Sequence, residues 1–223
     1  MIVPSDEEYQ QTKRIKQGLE RLVPPTDRIA DAIFTRYGVR PLNILLEWVD
    51  TARWHRLMVI FDRSEEAKLF KVDHFTNDPD KERFFLGTTM DVLGEKRVSV
   101  GGWPVFRERV FVIIKAFEPI ARAECNKHVP AMEIERLKDR YREEGLWDIS
   151  RFGSVTTFMF QTDAMVERIR QSGLGEELRG AYFQLEKPWD EFGYLEPANQ
   201  NVAFDSRENF EKNYEGNWYY YYK

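Results

Sequence analysis

The residues best suited to chemistry gather in Lys187-Pro188-Trp189-Asp190-Glu191-Phe192-Gly193-Tyr194-Leu195-Glu196-Pro197, which sets three acids among three aromatics. An aromatic face beside a carboxylate suits a sugar or a cation, and a carboxyl of raised pKa can act as a general acid. Trp189, Asp190, Glu191, Tyr194 and Glu196 are therefore candidate binding residues, with Asp190 and Glu191 the acids a hydrolase would use. The plainer expectation for the same stretch is a loop whose Trp189, Phe192 and Tyr194 pin it to the core.

A second concentration closes the chain, where Gly216-Asn217 leads into Trp218-Tyr219-Tyr220-Tyr221-Tyr222-Lys223. Its β propensity predicts a C-terminal strand with Trp218, Tyr220 and Tyr222 on one face. Tyrosine joins a large apolar body to a polar tip, which suits a half-exposed sheet or a protein interface. Those three residues complete the candidate binding set.

The remaining sites are weaker. In Cys125-Asn126-Lys127-His128 the thiol and imidazole are three apart, so a helix would place them on one face, as a thiolate nucleophile needs. A lone cysteine is more often a small buried hydrophobe. His55 and His74 stand apart from other metal-binding side chains, neither HExxH nor paired CxxC occurs, and no metal or cofactor is expected. Gly101-Gly102 lacks the lysine and hydroxyl of a phosphate loop, and no serine sits in a GxSxG elbow.

Several elements must position these groups. Ser5 and Glu8 fit a capping box for a first helix over about residues 6–22, and Pro24-Pro25 stops it. Thr26 caps a second helix that Gly38 ends. The apolar runs 42–49 and 56–61 predict a hairpin covered on both faces. Strand-into-helix transitions follow at Asp62, Asp163 and Asp205, while residues 110–117 read as a buried strand. Glu118-Pro119 and Pro130 open two further helices. Residues 77–104 read as the least regular stretch, punctuated by Asn77-Asp78-Pro79-Asp80 and Gly101-Gly102-Trp103-Pro104. These signals predict an α/β or α+β fold: a mixed sheet layered with amphipathic helices, two leading helices, strand-to-helix units and an aromatic C-terminal strand. One compact domain over residues 1–223 is the first expectation. Two similar halves divided between about 117 and 130 are the alternative, suggested by the likeness of Ile60-Phe61-Asp62-Arg63-Ser64-Glu65 to Ala203-Phe204-Asp205-Ser206-Arg207-Glu208.

Composition bounds the function. The 223 residues include 16 Phe, 6 Trp and 10 Tyr, more aromatic content than a disordered chain carries. The net charge of -5 argues against duplex DNA as a partner, because phosphate binding rewards a basic excess. Lys13, Arg14, Lys16 and Arg21 read as a solvated helix face. The longest apolar run, Val110 to Ile114, is far too short to span a bilayer, so no membrane partner is expected. One cysteine and an acidic N-terminus without an apolar leader segment point to the cytoplasm. The sequence thus favours a non-enzymatic protein-binding or inhibitor-type module, acidic enough to suit a basic partner. The competing expectations are a carboxylate-dependent hydrolase and a carbohydrate or single-stranded nucleic-acid binder using the tyrosine row.

Overall fold

A computed structural model describes residues 3–49, 53–94 and 99–223. It contains helices layered on small mixed sheets, an α/β or α+β arrangement, and divides into two compact units, Met1–Pro119 and Ile120–Lys223.

The first unit opens with α1 (Glu7–Lys16) and α2 (Thr26–Tyr37). The first helix stops six residues short of the expected Leu22, and Gln17 to Pro25 form a nine-residue connector. Gly38, at φ 73°, supplies the left-handed exit from α2 that a side chain would resist. Strands β1 (Asn43–Val49) and β2 (Trp54–Phe61) form the expected antiparallel hairpin. After α3 (Ser64–Lys68), helix α4 (Pro79–Leu93) occupies much of the stretch expected to be irregular. The turn-like Asn77-Asp78-Pro79 is its start: the Asp78 carboxylate accepts from the amides of Asp80 and Lys81, and Pro79 needs no partner at the first helical position. A short hairpin of β3 (Ser99–Val100) and β4 (Trp103–Pro104) precedes β5 (Val110–Ala116), which runs parallel to β2. Helix α5 (Glu118–His128) leads into the second unit.

There, α6 (Ala131–Arg140) is followed by the antiparallel pair β6 (Leu146–Phe152) and β7 (Val155–Phe160). Helices α7 (Asp163–Gln171) and α8 (Leu174–Glu186) then lead to β8 (Val202–Ser206), parallel to β7, and the chain closes with α9 (Arg207–Tyr214) and α10 (Trp218–Tyr221). The expected C-terminal strand is therefore a helical turn. Asn217 caps it through an acceptor bond from the Tyr219 amide, and Trp218 packs on Phe210 with ring centroids 4.2 Å apart. Those contacts outweigh the β propensity of the tyrosine row.

Each unit has a three-stranded sheet with a hairpin strand at one edge and a parallel strand at the other, in the orders β1-β2-β5 and β6-β7-β8. One face of the first sheet presents Ile44, Leu57, Val59, Phe61, Val112 and Ile114 to Ile29, Ala30 and Ile33 of α2 and to Phe70 and Phe85. The matching face of the second presents Ile149, Phe158, Phe160 and Val202 to Ile134 and Leu137 of α6, Val166 and Ile169 of α7, and Leu178 and Tyr182 of α8. The six-residue likeness noted above joins the end of β2, a middle strand, to the end of β8, an edge strand, so it does not align equivalent positions. What the two segments share is helix-capping chemistry: Glu66 accepts from the Asp62 and Arg63 amides, and Ser206 from the Asn209 amide.

Candidate functional site

The expected binding residues fall into two separate parts of the second unit. Trp189 ends a 3-10 turn over Lys187–Trp189 and is 42% exposed. Asp190 turns inward: its carboxylate, 1% exposed, accepts from the amides of Tyr194 at 2.8 Å and Leu195 at 3.0 Å and pairs with Lys187 at 2.9 Å. Burial alone would raise its pKa, but these three donors outweigh burial and lower it. Asp190 is thus an ionised clasp for the loop. Tyr194 is fully buried, Glu191 and Glu196 are exposed, and the Glu196 amide bonds Asn199 Oδ1. The Asn199 carbonyl in turn accepts from Arg122, which ties the loop to α5.

Under this loop lie buried polar groups that local sequence patterns did not reveal. Glu186, at the end of α8, is 6% exposed and accepts from Gln200 Nε2 at 3.2 Å. Burial raises its pKa to about 7, even though Gln200, Arg122 and Arg151 favour the charged form. Nearby, Tyr182 donates to Asn126 at 2.6 Å, and Asn126 donates to Thr156 Oγ1 and the Gly153 carbonyl. The signal for Glu186 is tertiary, because Gln200, Arg122 and Arg151 come from other elements.

Cys125 is not placed as an activated nucleophile would be. Its thiol is buried, donates to the Trp189 carbonyl at 3.0 Å, and has a pKa pushed up to about 12 by burial and by the neighbouring acids Asp190, Glu186 and Glu124. His128 instead faces the Trp189 ring, with centroids 5.6 Å apart. Among the described residues, no group of three or more His, Cys, Asp or Glu side chains could hold a metal ion, and no helix is long and apolar enough to cross a membrane.

The tail aromatics line an open cleft of about 610 Å³, together with Asp148, Ile149, Ser150, Arg151 and Phe152 of β6. Trp218, Tyr219, Tyr222 and Lys223 form its other wall. Tyr222 donates to Ser150 Oγ at 2.7 Å and stacks on Phe152 with centroids 4.6 Å apart. Tyr220 is 49% exposed and does not line the cleft. Tyr221 points beneath the helix and donates to Asp205 at 2.6 Å, and burial followed by that acceptor raises its pKa. The helical turn therefore groups Trp218 with Tyr222, whereas a strand would have grouped both with Tyr220.

The cleft follows the edge of β6. Successive strand residues point to opposite faces, so a cavity on one face touches alternate residues. This one touches five in succession. Among the described residues strand β6 pairs only with β7, so its other edge carries backbone groups unused by the sheet. The charges beside the cleft are largely engaged: Arg151 donates to the carbonyls of Asn126 and Val129, Asp148 lies 3.6 Å from Lys138, and Lys223 sits over the Tyr219 ring. What remains is an aromatic wall beside an open strand edge. No family model, curated protein or solved structure matches the chain.

Proposed function

We propose that this protein is a protein-binding module that receives an extended segment of its partner along the outer edge of β6, gripped by Trp218, Tyr219, Tyr222 and Phe152. The observation carrying this reading is the cleft in contact with five consecutive residues of an edge strand. Backbone hydrogen bonds to such an edge supply affinity, and an adjoining side-chain wall supplies selectivity. The volume falls within the range of functional clefts, and aromatic residues are enriched at the centres of protein interfaces. The cations beside the cleft are already engaged, Arg151 by two backbone carbonyls and Lys223 by the Tyr219 ring, which favours a peptide over nucleic acid, whose phosphates demand free cations.

Selection from a displayed library of random peptides tests the proposal. Enriched peptides should lose binding at least about tenfold, or about 1.4 kcal/mol, to Tyr219→Ala and Phe152→Ala proteins that retain wild-type circular dichroism. Failure to enrich a binder, or enrichment of peptides indifferent to both substitutions, would overturn it. Point variants are preferable to removal of the tail, because α10 covers Phe210 and meets Asp205.

A further inference from the structure

The two units share a register as well as a strand order. Phe61, the last residue of β2, pairs with Ala116, and Phe160, the last of β7, pairs with Ser206. Three residues beyond Phe61 the Ser64 amide donates at 2.9 Å to Glu118, which stands two beyond Ala116. Three residues beyond Phe160 the Asp163 amide donates at 3.2 Å to Glu208, which stands two beyond Ser206. One carboxylate thus caps the equivalent helix in each unit, at equal offsets. Counting back from the same phenylalanines, Ile60 pairs with Asn43 and Met159 with Asp148, so Asn43 to Glu47 correspond to Asp148 to Phe152.

Those same five residues of β1 line a smaller cavity of about 230 Å³. Its other wall consists of Gln11, Ile15 and the connector stretch Arg21-Leu22-Val23-Pro24-Pro25-Thr26. The connector is there for a topological reason. Helix α1 lies on the sheet face bearing Asn43 and Arg56, where Thr12 accepts from Asn43 at 3.0 Å and Glu8 pairs with Arg56 at 2.8 Å. Helix α2 packs on the opposite face, so the chain between them passes around the β1 edge. In the second unit α10 covers the face of Ser150 and Phe152 that corresponds to the α1 side, and α6 covers the opposite one. Among the described residues no stretch joins α10 to α6 across β6, because α6 follows α5 through Val129 and Pro130 alone.

We infer that the two units are repeats of one structural unit, and that the β6 cleft receives from a partner protein what the connector supplies to β1: an apolar, proline-containing segment resembling Arg21-Leu22-Val23-Pro24-Pro25-Thr26, non-helical over Arg21 to Val23 and turning at Pro24-Pro25. This rests on the proposed role of the β6 edge and assigns its ligand class. Leu22 packs against the first unit's core while Val23 is 59% exposed, so the equivalent ligand presents one apolar side chain inward and tolerates exposure at the next. Prolines suit an occupant seated alongside an edge, since fixed φ lowers the entropy lost on binding.

The probe is a fluorescein-labelled synthetic peptide with the sequence of residues 17–27, titrated into the full-length protein and followed by anisotropy. Saturable binding is expected, weakened at least about tenfold by Tyr219→Ala or Phe152→Ala in the protein and by Leu22→Asp in the peptide. Absence of saturable binding, or binding unchanged by both protein substitutions, overturns the inference. If the displayed library yields cleft-dependent binders while this peptide fails, the ligand class is wrong and the β6 reading stands. If neither depends on the cleft, both fall.

Discussion

Replacing Glu186 by glutamine should uncouple the stability of the second unit from pH. The buried carboxyl titrates near 7 in the folded chain against an ordinary value of 4.5. Between those values the folded state keeps a proton that the unfolded chain has released, so stability falls as pH rises through the window and levels off above about 7. The gap, at about 1.36 kcal/mol per pH unit, amounts to about 3 kcal/mol. Glutamine has nearly the shape of the protonated acid and no charge to bury. Wild type and Glu186→Gln should therefore be about equally stable near pH 4.5, with the variant ahead by about 3 kcal/mol at pH 8. Guanidinium unfolding at pH 4.5, 6, 7 and 8, followed by tryptophan fluorescence, gives the comparison, and the difference between the proteins cancels the titration of other groups. Two parallel stability curves would refute the assignment of a buried, proton-retaining acid at this position.

Asp190→Ala should destabilise the chain by about 1–3 kcal/mol in thermal or chemical unfolding, since it leaves the buried amides of Tyr194 and Leu195 without their acceptor. Cys125 should resist iodoacetamide at pH 8 in the folded protein and react readily in guanidinium, as mass spectrometry would show, because burial holds the thiol protonated. Glu118→Ala and Glu208→Ala should each cost about 0.5–2 kcal/mol on unfolding, the usual loss for a helix cap. Phe75 is 91% exposed on a turn held by Asp73, so Phe75→Ser should change stability by less than about 0.5 kcal/mol in the same assay.

The parts of this architecture legible in the sequence were those whose cause is local. The β1–β2 hairpin announces itself by two apolar runs, and Gly38 marks the end of α2 by conformational need. Helix α4 was hidden because Asp-Pro serves both turns and helix starts: Asp78 and Pro79 open a helix here, and the phenylalanines that follow have no strict stripe. Strand β6 carries no clean sequence signature, because Asp148, Ser150 and Arg151 interrupt its apolar residues and a bulge separates Leu146 from Asp148. The Trp189 to Glu196 loop was recognisable as acids among aromatics, yet only tertiary structure turns Asp190 inward to clasp backbone amides while leaving Glu191 exposed. Glu186 stands in an ordinary helical context, and its unusual acidity comes from burial beneath residues distant in sequence.

The bulge in β6 also bears on how an exposed edge is kept from polymerising. Fibril growth by edge pairing demands a long, flat strand that can stack in register with copies of itself. The irregularity between Leu146 and Asp148 interrupts the regular ladder near one end of the strand, and the charges of Asp148 and Arg151 fall within the stretch that remains. A second full-length edge stacked in parallel register meets the kink and sets Asp148 against Asp148 and Arg151 against Arg151. The backbone defect that blurs the pattern of β6 in the sequence is thus also one that disfavours stacking of identical edges.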